Sequence, residues 1–215
     1  MKINDPFLDG FTGSFRKRNI IIYKIYGKTV GRSFPSNYNL KKTEIREKQT
    51  NHLTEPNNIV KLLFPFTNFL YPHKENCSLR SSFHSHIMND VMTYEDNQWI
   101  INLDKITLSN GNLRLLPELT ISQLPNHQLK ISWLNTAGKA LARNDDNIII
   151  VVYSPTVKRT KIITPSDEPI FRNQSSCTFS IPNNWQNLIL YIYVYSISQT
   201  KKRISNTQFL TTTVP

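Results

Sequence analysis

The sequence predicts a mostly β protein with α segments: an N-terminal basic β-hairpin and helices, followed by a C-terminal antiparallel β-sandwich. Three observations predict it. From Gln98 onward apolar residues recur with period 2 in short runs separated by Pro, Asn, Asp and Gly. Before that point, between residues 57 and 92, they recur at helical spacing. The first 48 residues hold 11 of the 26 Lys and Arg but only 4 of the 15 Asp and Glu. The expected division is residues 1–97, a basic hairpin plus helical region, and residues 98–215, a β-sandwich domain.

Residues 1–13 contain Pro6, Gly10 and Gly13 and read as an irregular lead-in. Asn19 to Tyr26 is rich in Ile and Tyr, Gly27-Lys28 can turn, and Thr29 to Phe34 can return as the second strand of a hairpin. Pro35, Ser36 and Asn37 end it. Residues 43–54 are polar and helix-tolerant, with Thr43 placed to cap. Residues 57–70 set Ile59, Leu62, Leu63 and Phe66 on one helical face, with a break expected near Phe64 because Pro65 follows. Residues 79–92 form a further helix with Leu79, Phe83, Ile87 and Val91 on one face and Ser78 as its N-cap.

The period then changes. Trp99 to Ile101 and Ile106 to Leu108 read as strands, with Asn110-Gly111 as a turn signal. Strands follow at Thr120 to Leu124, Gln128 to Leu134, Asn147 to Tyr153, Lys158 to Ile163, Cys177 to Ile181, Leu188 to Ser196 and Ile204 to Leu210. Leu129, Ile131 and Trp133 alternate inward, and the continuous apolar run from Asn147 to Tyr153 suits a strand buried on both faces. Tyr191, Tyr193 and Tyr195 share one face. Such a stripe can stack on sugars or bases, but more often it packs beneath helices or against a second sheet.

A Trp on the second sandwich strand beside a Tyr-rich penultimate strand resembles the fibronectin type III arrangement, and a sandwich of fibronectin III or immunoglobulin-like kind is the expectation. Without cysteines at matching inter-sheet positions the antibody type is disfavoured. Three further stretches carry a family resemblance. They are Tyr23-Lys24-Ile25-Tyr26-Gly27-Lys28 through Arg32-Ser33-Phe34-Pro35, then Leu108-Ser109-Asn110-Gly111-Asn112-Leu113, then Ile131-Ser132-Trp133 through Val151-Val152-Tyr153-Ser154-Pro155 to Ser205-Asn206. In this order they resemble an uncharacterised Bacteroidetes family, domain of unknown function 6266. Arg18 and Ile22 depart from it where its pattern has glycines. The resemblance implies no activity and no catalytic residue.

The formal net charge is +11, and its concentration in the first 48 residues marks Arg16, Lys17, Arg18, Lys24, Lys28 and Arg32 as a candidate binding arm. A basic segment beside a β-rich body can bind phosphates or acidic surfaces. Basic strands also serve simply to keep an exposed edge soluble and unpaired. Tyr23 and Tyr26 are interleaved and available for stacking.

Other constellations point away from chemistry. His73, Cys77, His84 and His86 lie close in sequence, but one Cys and these spacings match no common zinc pattern, and His84 and His86 face different sides of a helix. Asp145-Asp146 lacks the spaced oxygens and glycine of a calcium loop and reads as a strand-leading turn. Asp167-Glu168, like Glu95-Asp96, is an adjacent pair with no second group converging on it. Neither G-x-S-x-G nor a phosphate-cradling glycine motif is present. Cys77 and Cys177 are expected to be free thiols, which weakly favours a reducing compartment. No basic-then-apolar leader and no membrane-length apolar run is visible, so a soluble, cytoplasmic chain is expected. The expected function is therefore a non-catalytic structural or protein-interaction module, with no cofactor and no metal. Nucleic-acid or polyanion binding through the basic hairpin is the alternative.

Overall fold

The computed structural model describes residues 13–15, 20–25, 28–33, 44–67, 77–95, 98–138, 141–162 and 169–213. Among the described residues the protein is mostly β, with two α-helices and several antiparallel sheets. It divides into two compact units, residues 1–49 and 50–215. In the first unit β1 (Gly13–Phe15), β2 (Ile20–Ile25) and β3 (Lys28–Ser33) form a sheet in the order β1-β2-β3. Ile22 stands opposite Gly31 across β2 and β3, and both are buried.

Helix α1 (Glu44–Leu63) begins in the first unit and ends in the second. The sequence suggested two helices, 43–54 and 57–70. The structure has one, because it runs through Pro56. A proline inside a helix costs about 3 kcal/mol. Ile59, Val60 and Leu63 are buried just beyond it. At ~1.5–3 kcal/mol for each large side chain removed from water, that burial outweighs the cost. The helix stops at Leu63, and Phe64–Phe66 tightens into a 3-10 turn around Pro65. The Phe64 carbonyl accepts from Thr67 N (3.0 Å) and Thr67 Oγ1 (2.6 Å).

Helix α2 (Leu79–His86) starts at Ser78, whose Oγ accepts from Ser81 N at 3.1 Å. It continues as a π-helical turn, Ile87–Val91, which keeps Phe83, Ile87 and Val91 buried together. Strands β4 (Met92–Glu95) and β5 (Gln98–Ile101) then pair antiparallel.

Ile106 to Leu108, expected as a strand, finds no strand partner among the described residues. It is held by other means. Ile106 and Leu108 are buried, while Leu108 N and Ser109 N both donate to Thr207 Oγ1, at 2.9 and 2.8 Å. Gly111 is there for close approach rather than as a turn: a Cβ on it would lie 2.2 Å from the Ile204 carbonyl oxygen. Leu113 N donates to that same oxygen at 3.0 Å. This packing occupies Ile204 and Ser205, so the last strand starts four residues later than the sequence suggested.

The remaining strands are β6 (Thr120–Leu124), β7 (Gln128–Ser132), β8 (Asn147–Ser154), β9 (Arg159–Ile162), β10 (Ser176–Ser180), β11 (Ile189–Ile197) and β12 (Gln208–Thr213). They make two antiparallel sheets, β10-β7-β6 and β12-β11-β8-β9. One core cluster joins Leu129, Ile131 and Phe179 of the first sheet to Ile150, Val152, Ile192 and Val194 of the second, with Trp133 and Trp185 among them. The opposite face of the four-stranded sheet carries Val151, Tyr153, Tyr193 and Tyr195, which cluster with Ile59, Leu63, Phe83 and Ile87 of the helical segment. The tyrosine stripe is thus packing under helices, and its hydroxyls reach polar ends. Tyr193 donates to the Leu103 carbonyl at 2.9 Å and Tyr195 to the Phe66 carbonyl at 2.8 Å. Burial pushes the Tyr193 and Tyr195 hydroxyls well above their usual range, and pushes Tyr153 up to about 12, with Glu55 and Tyr191 adding to the shift. Among the described residues no helix is long and apolar enough to cross a membrane.

Candidate functional site

The segment after Trp133 and the turn between β11 and β12 meet at one end of the second unit. An Asx-type turn starts the first segment, with Asn135 Oδ1 accepting from Ala137 N at 2.9 Å. Asp146 closes it: its Oδ2 accepts from Arg143 N at 2.9 Å. Ser198 organises the other segment. Its N and Oγ both donate to the Arg203 carbonyl, at 3.0 and 3.2 Å, and its Oγ accepts from Arg203 N at 3.0 Å. These bonds close the turn on itself and leave Lys201, Lys202 and Arg203 exposed.

Between the two segments lies a groove of about 400 Å³. Leu113, Leu141 and Ala142 give it apolar wall, Arg143, Lys202 and Arg203 give it cationic wall, and Asp145 and Asp146 are its acids. Arg114 is exposed alongside and donates its N–H to the Leu141 carbonyl at 2.9 Å. Leu141 is 42% exposed and has a φ of 61°, a left-handed conformation that costs a non-glycine residue roughly 1–2 kcal/mol.

Beneath the groove sits a buried ion pair. Arg172 Nε lies 3.2 Å from Asp146 Oδ2, and neither side chain is more than 1% exposed. The guanidinium also donates from Nη2 to the Arg114 carbonyl (2.6 Å) and to Ser196 Oγ (3.1 Å). Trp133 Nε1 donates to the Arg172 carbonyl at 2.8 Å. Burial lowers the Arg172 pKa, and Asp146 opposes that shift. Asp146 Oδ1 is buried and meets no donor from the described residues.

A second groove, about 410 Å³, lies among Asn57, Val60, Arg80, Ser81, His84 and Ser85. His84 Nε2 and Asn57 Oδ1 are 3.1 Å apart, and the Arg80 guanidinium lies over the Phe64 ring, 5.8 Å from its centre. His86 turns elsewhere. Thr107 N donates to its Nε2 at 3.2 Å, so its proton is on Nδ1, which faces Asp90 Oδ2 at 2.8 Å. The two histidines therefore do different structural jobs. Among the described residues no group of three His, Cys, Asp or Glu is placed to hold a metal. Cys77 and Cys177 are free, and burial raises the Cys177 thiol.

Of the basic arm, Arg16, Lys17 and Arg18 lie outside the described residues, as do His73, Asp96, Asp167 and Glu168. Lys24, Lys28 and Arg32 are on paired strands, opposite Thr29, Ile25 and Ile21. Asp145-Asp146 does lead into a strand, as its sequence suggested, but Asp146 has the further task of neutralising Arg172. Sequence reasoning missed Arg172, Arg143 and the Lys201-Lys202-Arg203 run. The run of three cations was a visible signal, outweighed by the larger charge excess of the N-terminus.

A family model described as a family of unknown function, DUF6266, matches residues 21–211. No curated protein matches. Among solved structures, the chain is similar to the fn3 domain of human collagen alpha-1(XX) chain, with 16% identity over 49% of this chain and 90% of that one, at a TM-score of 0.36.

Proposed function

We propose that this chain, which belongs to the DUF6266 family of unknown function, is a non-catalytic protein-interaction module built on a fibronectin III-like sandwich. One observation carries the reading. Exposed Leu141 lines one groove with exposed Arg143, Lys202 and Arg203, on turns fixed by partly buried hydrogen bonds. Apolar and guanidinium groups together on a rigid frame suit a partner surface. The outer face of the four-stranded sheet is already covered by helices, which leaves loops and edges for docking. The expectation of a cytoplasmic location fits such a role and stays part of the proposal.

The experiment is capture of partners from a lysate of the source organism by the full chain, with Lys202→Glu/Arg203→Glu and a Leu141→Ser variant alongside. Stoichiometric capture by wild type that either variant loses supports the reading. Turnover of ester, phosphate or glycoside reporters by the purified chain would overturn its non-catalytic part.

A second reading is polyanion binding through Arg16, Lys17, Arg18, Lys24, Lys28 and Arg32, favoured by the charge excess of the first 48 residues. Retention on heparin or mixed-sequence DNA across a salt series separates the two, because phosphate contacts weaken steeply as salt rises. Arg16, Lys17 and Arg18 changed together to Ala should then flatten the salt slope by up to about three phosphate contacts.

A further inference from the structure

We infer that the groove between residues 141–146 and 198–203 takes an acidic peptide segment anchored by one apolar side chain, an inference that rests on the interaction-module reading.

Charge comes first. Asp146 lines the groove, but its negative charge is neutralised from below by Arg172. Asp145 is then the one unneutralised acid of the lining, against Arg143, Lys202 and Arg203, with Lys201 and Arg114 exposed nearby. A surface of this balance attracts carboxylates, and guanidinium groups bind them in a forked geometry.

Shape and polarity narrow the class. About 400 Å³ is within the range of small-ligand and side-chain pockets. Leu113, Leu141 and Ala142 match an apolar side chain. Leu141 holds its exposed position in a left-handed backbone, a conformation that persists only where the surroundings impose it. None of the residues lining the groove is aromatic, so it has no platform for stacking bases. An acidic peptide satisfies all of these features, and a nucleic acid only the first.

The test uses the full chain and a library of short random peptides displayed on phage, selected in parallel on wild type and on Lys202→Glu/Arg203→Glu. Both altered side chains are exposed, and a thermal melt checks that the variant is folded. The expected result is enrichment on wild type alone of peptides with net negative charge and a large apolar residue. A synthetic copy of an enriched peptide should bind the variant about tenfold more weakly, or ~1.4 kcal/mol. Leu141→Ser should weaken the same peptide several-fold while leaving its salt dependence intact. The inference is overturned by enrichment of peptides without acids, by equal recovery on the variant, by no enrichment at all, or by displacement of the peptide by a single-stranded oligonucleotide. A lysate partner that still binds Lys202→Glu/Arg203→Glu leaves the interaction-module reading standing and removes the groove from it.

Discussion

Arg172 reaches Asp146 from the far side of a turn, Nε to Oδ2 at 3.2 Å, and both side chains are buried. Each depends on the other. Removing one partner of a buried ion pair costs about 3–5 kcal/mol, because the remaining charge is left unneutralised. Arg172→Met should therefore lower unfolding free energy by about that much in urea denaturation. Arg172→Met combined with Asp146→Asn should cost clearly less than the two single changes added together. Additive losses would show that the pair is not coupled.

Trp133 is the next test of the same region. It is 4% exposed, belongs to the core between the sheets and donates to the Arg172 carbonyl. Trp133→Ala should cost about 3–5 kcal/mol and lower Tm sharply, and Trp133→Phe clearly less, because the ring volume is mostly kept. A loss from Trp133→Ala below about 1 kcal/mol would contradict its burial.

Gly111→Ala tests the close approach to Ile204. The obstacle is a backbone oxygen, which cannot swing aside. Overpacking of this kind costs about 1–3 kcal/mol. Amide exchange at Leu113, whose N–H is bonded to that oxygen, should quicken in the variant.

The buried tyrosines make stability fall at high pH. Tyr153, Tyr193 and Tyr195 all have hydroxyl pKa values raised by burial. Below the unfolded value of 10 these groups are protonated in both states. Above it the unfolded chain loses protons that the folded chain keeps, so stability drops as pH rises, for Tyr153 until about 12. Each such tyrosine contributes a slope of about 1.4 kcal/mol per pH unit. Urea midpoints measured upward from pH 10 should fall accordingly, and less steeply in Tyr195→Phe.

Chain length gives a further check. A chain starting at Thr50 should unfold cooperatively, since residues 50–215 form one compact unit. A chain starting at Gln98 loses the helical cover of Tyr153, Tyr193 and Tyr195 and should bind a hydrophobic dye or aggregate.

Much of the β architecture was legible, because period-2 alternation marks a strand wherever one side is core. The strands at 120–124, 128–132 and 147–154 follow directly from it. Helix α1 was harder, because Pro56 is a local stop signal that distant packing overrides. Ile106 to Leu108 looked like a strand because extended backbone held by Thr207 Oγ1 has the same apolar signature as a ladder. The groove was illegible for a different reason. Its parts lie at 113, 141–146 and 198–203, and an arginine such as Arg172 carries no mark in sequence that it will be buried.

The central strands β8 and β11 lack the usual safeguard against slipping. On β8, Ile148, Ile150 and Val152 face one core while Ile149, Val151 and Tyr153 face the other. A shift of a single residue exchanges the two sets, and here that exchange puts no β8 charge indoors and no apolar row outdoors. Hydrophobicity therefore does little to discriminate between the registers. What distinguishes them is the trio on β11, Tyr191, Tyr193 and Tyr195, opposite Tyr153, Val151 and Ile149. A misthreaded pairing would thrust phenols into the apolar space among Leu129, Ile131 and Phe179 and strand their hydroxyls away from the Leu103 and Phe66 carbonyls. The tyrosines thus act as an alignment key for the middle of the sheet, and replacing Tyr191, Tyr193 and Tyr195 with leucine should weaken the preference for this register.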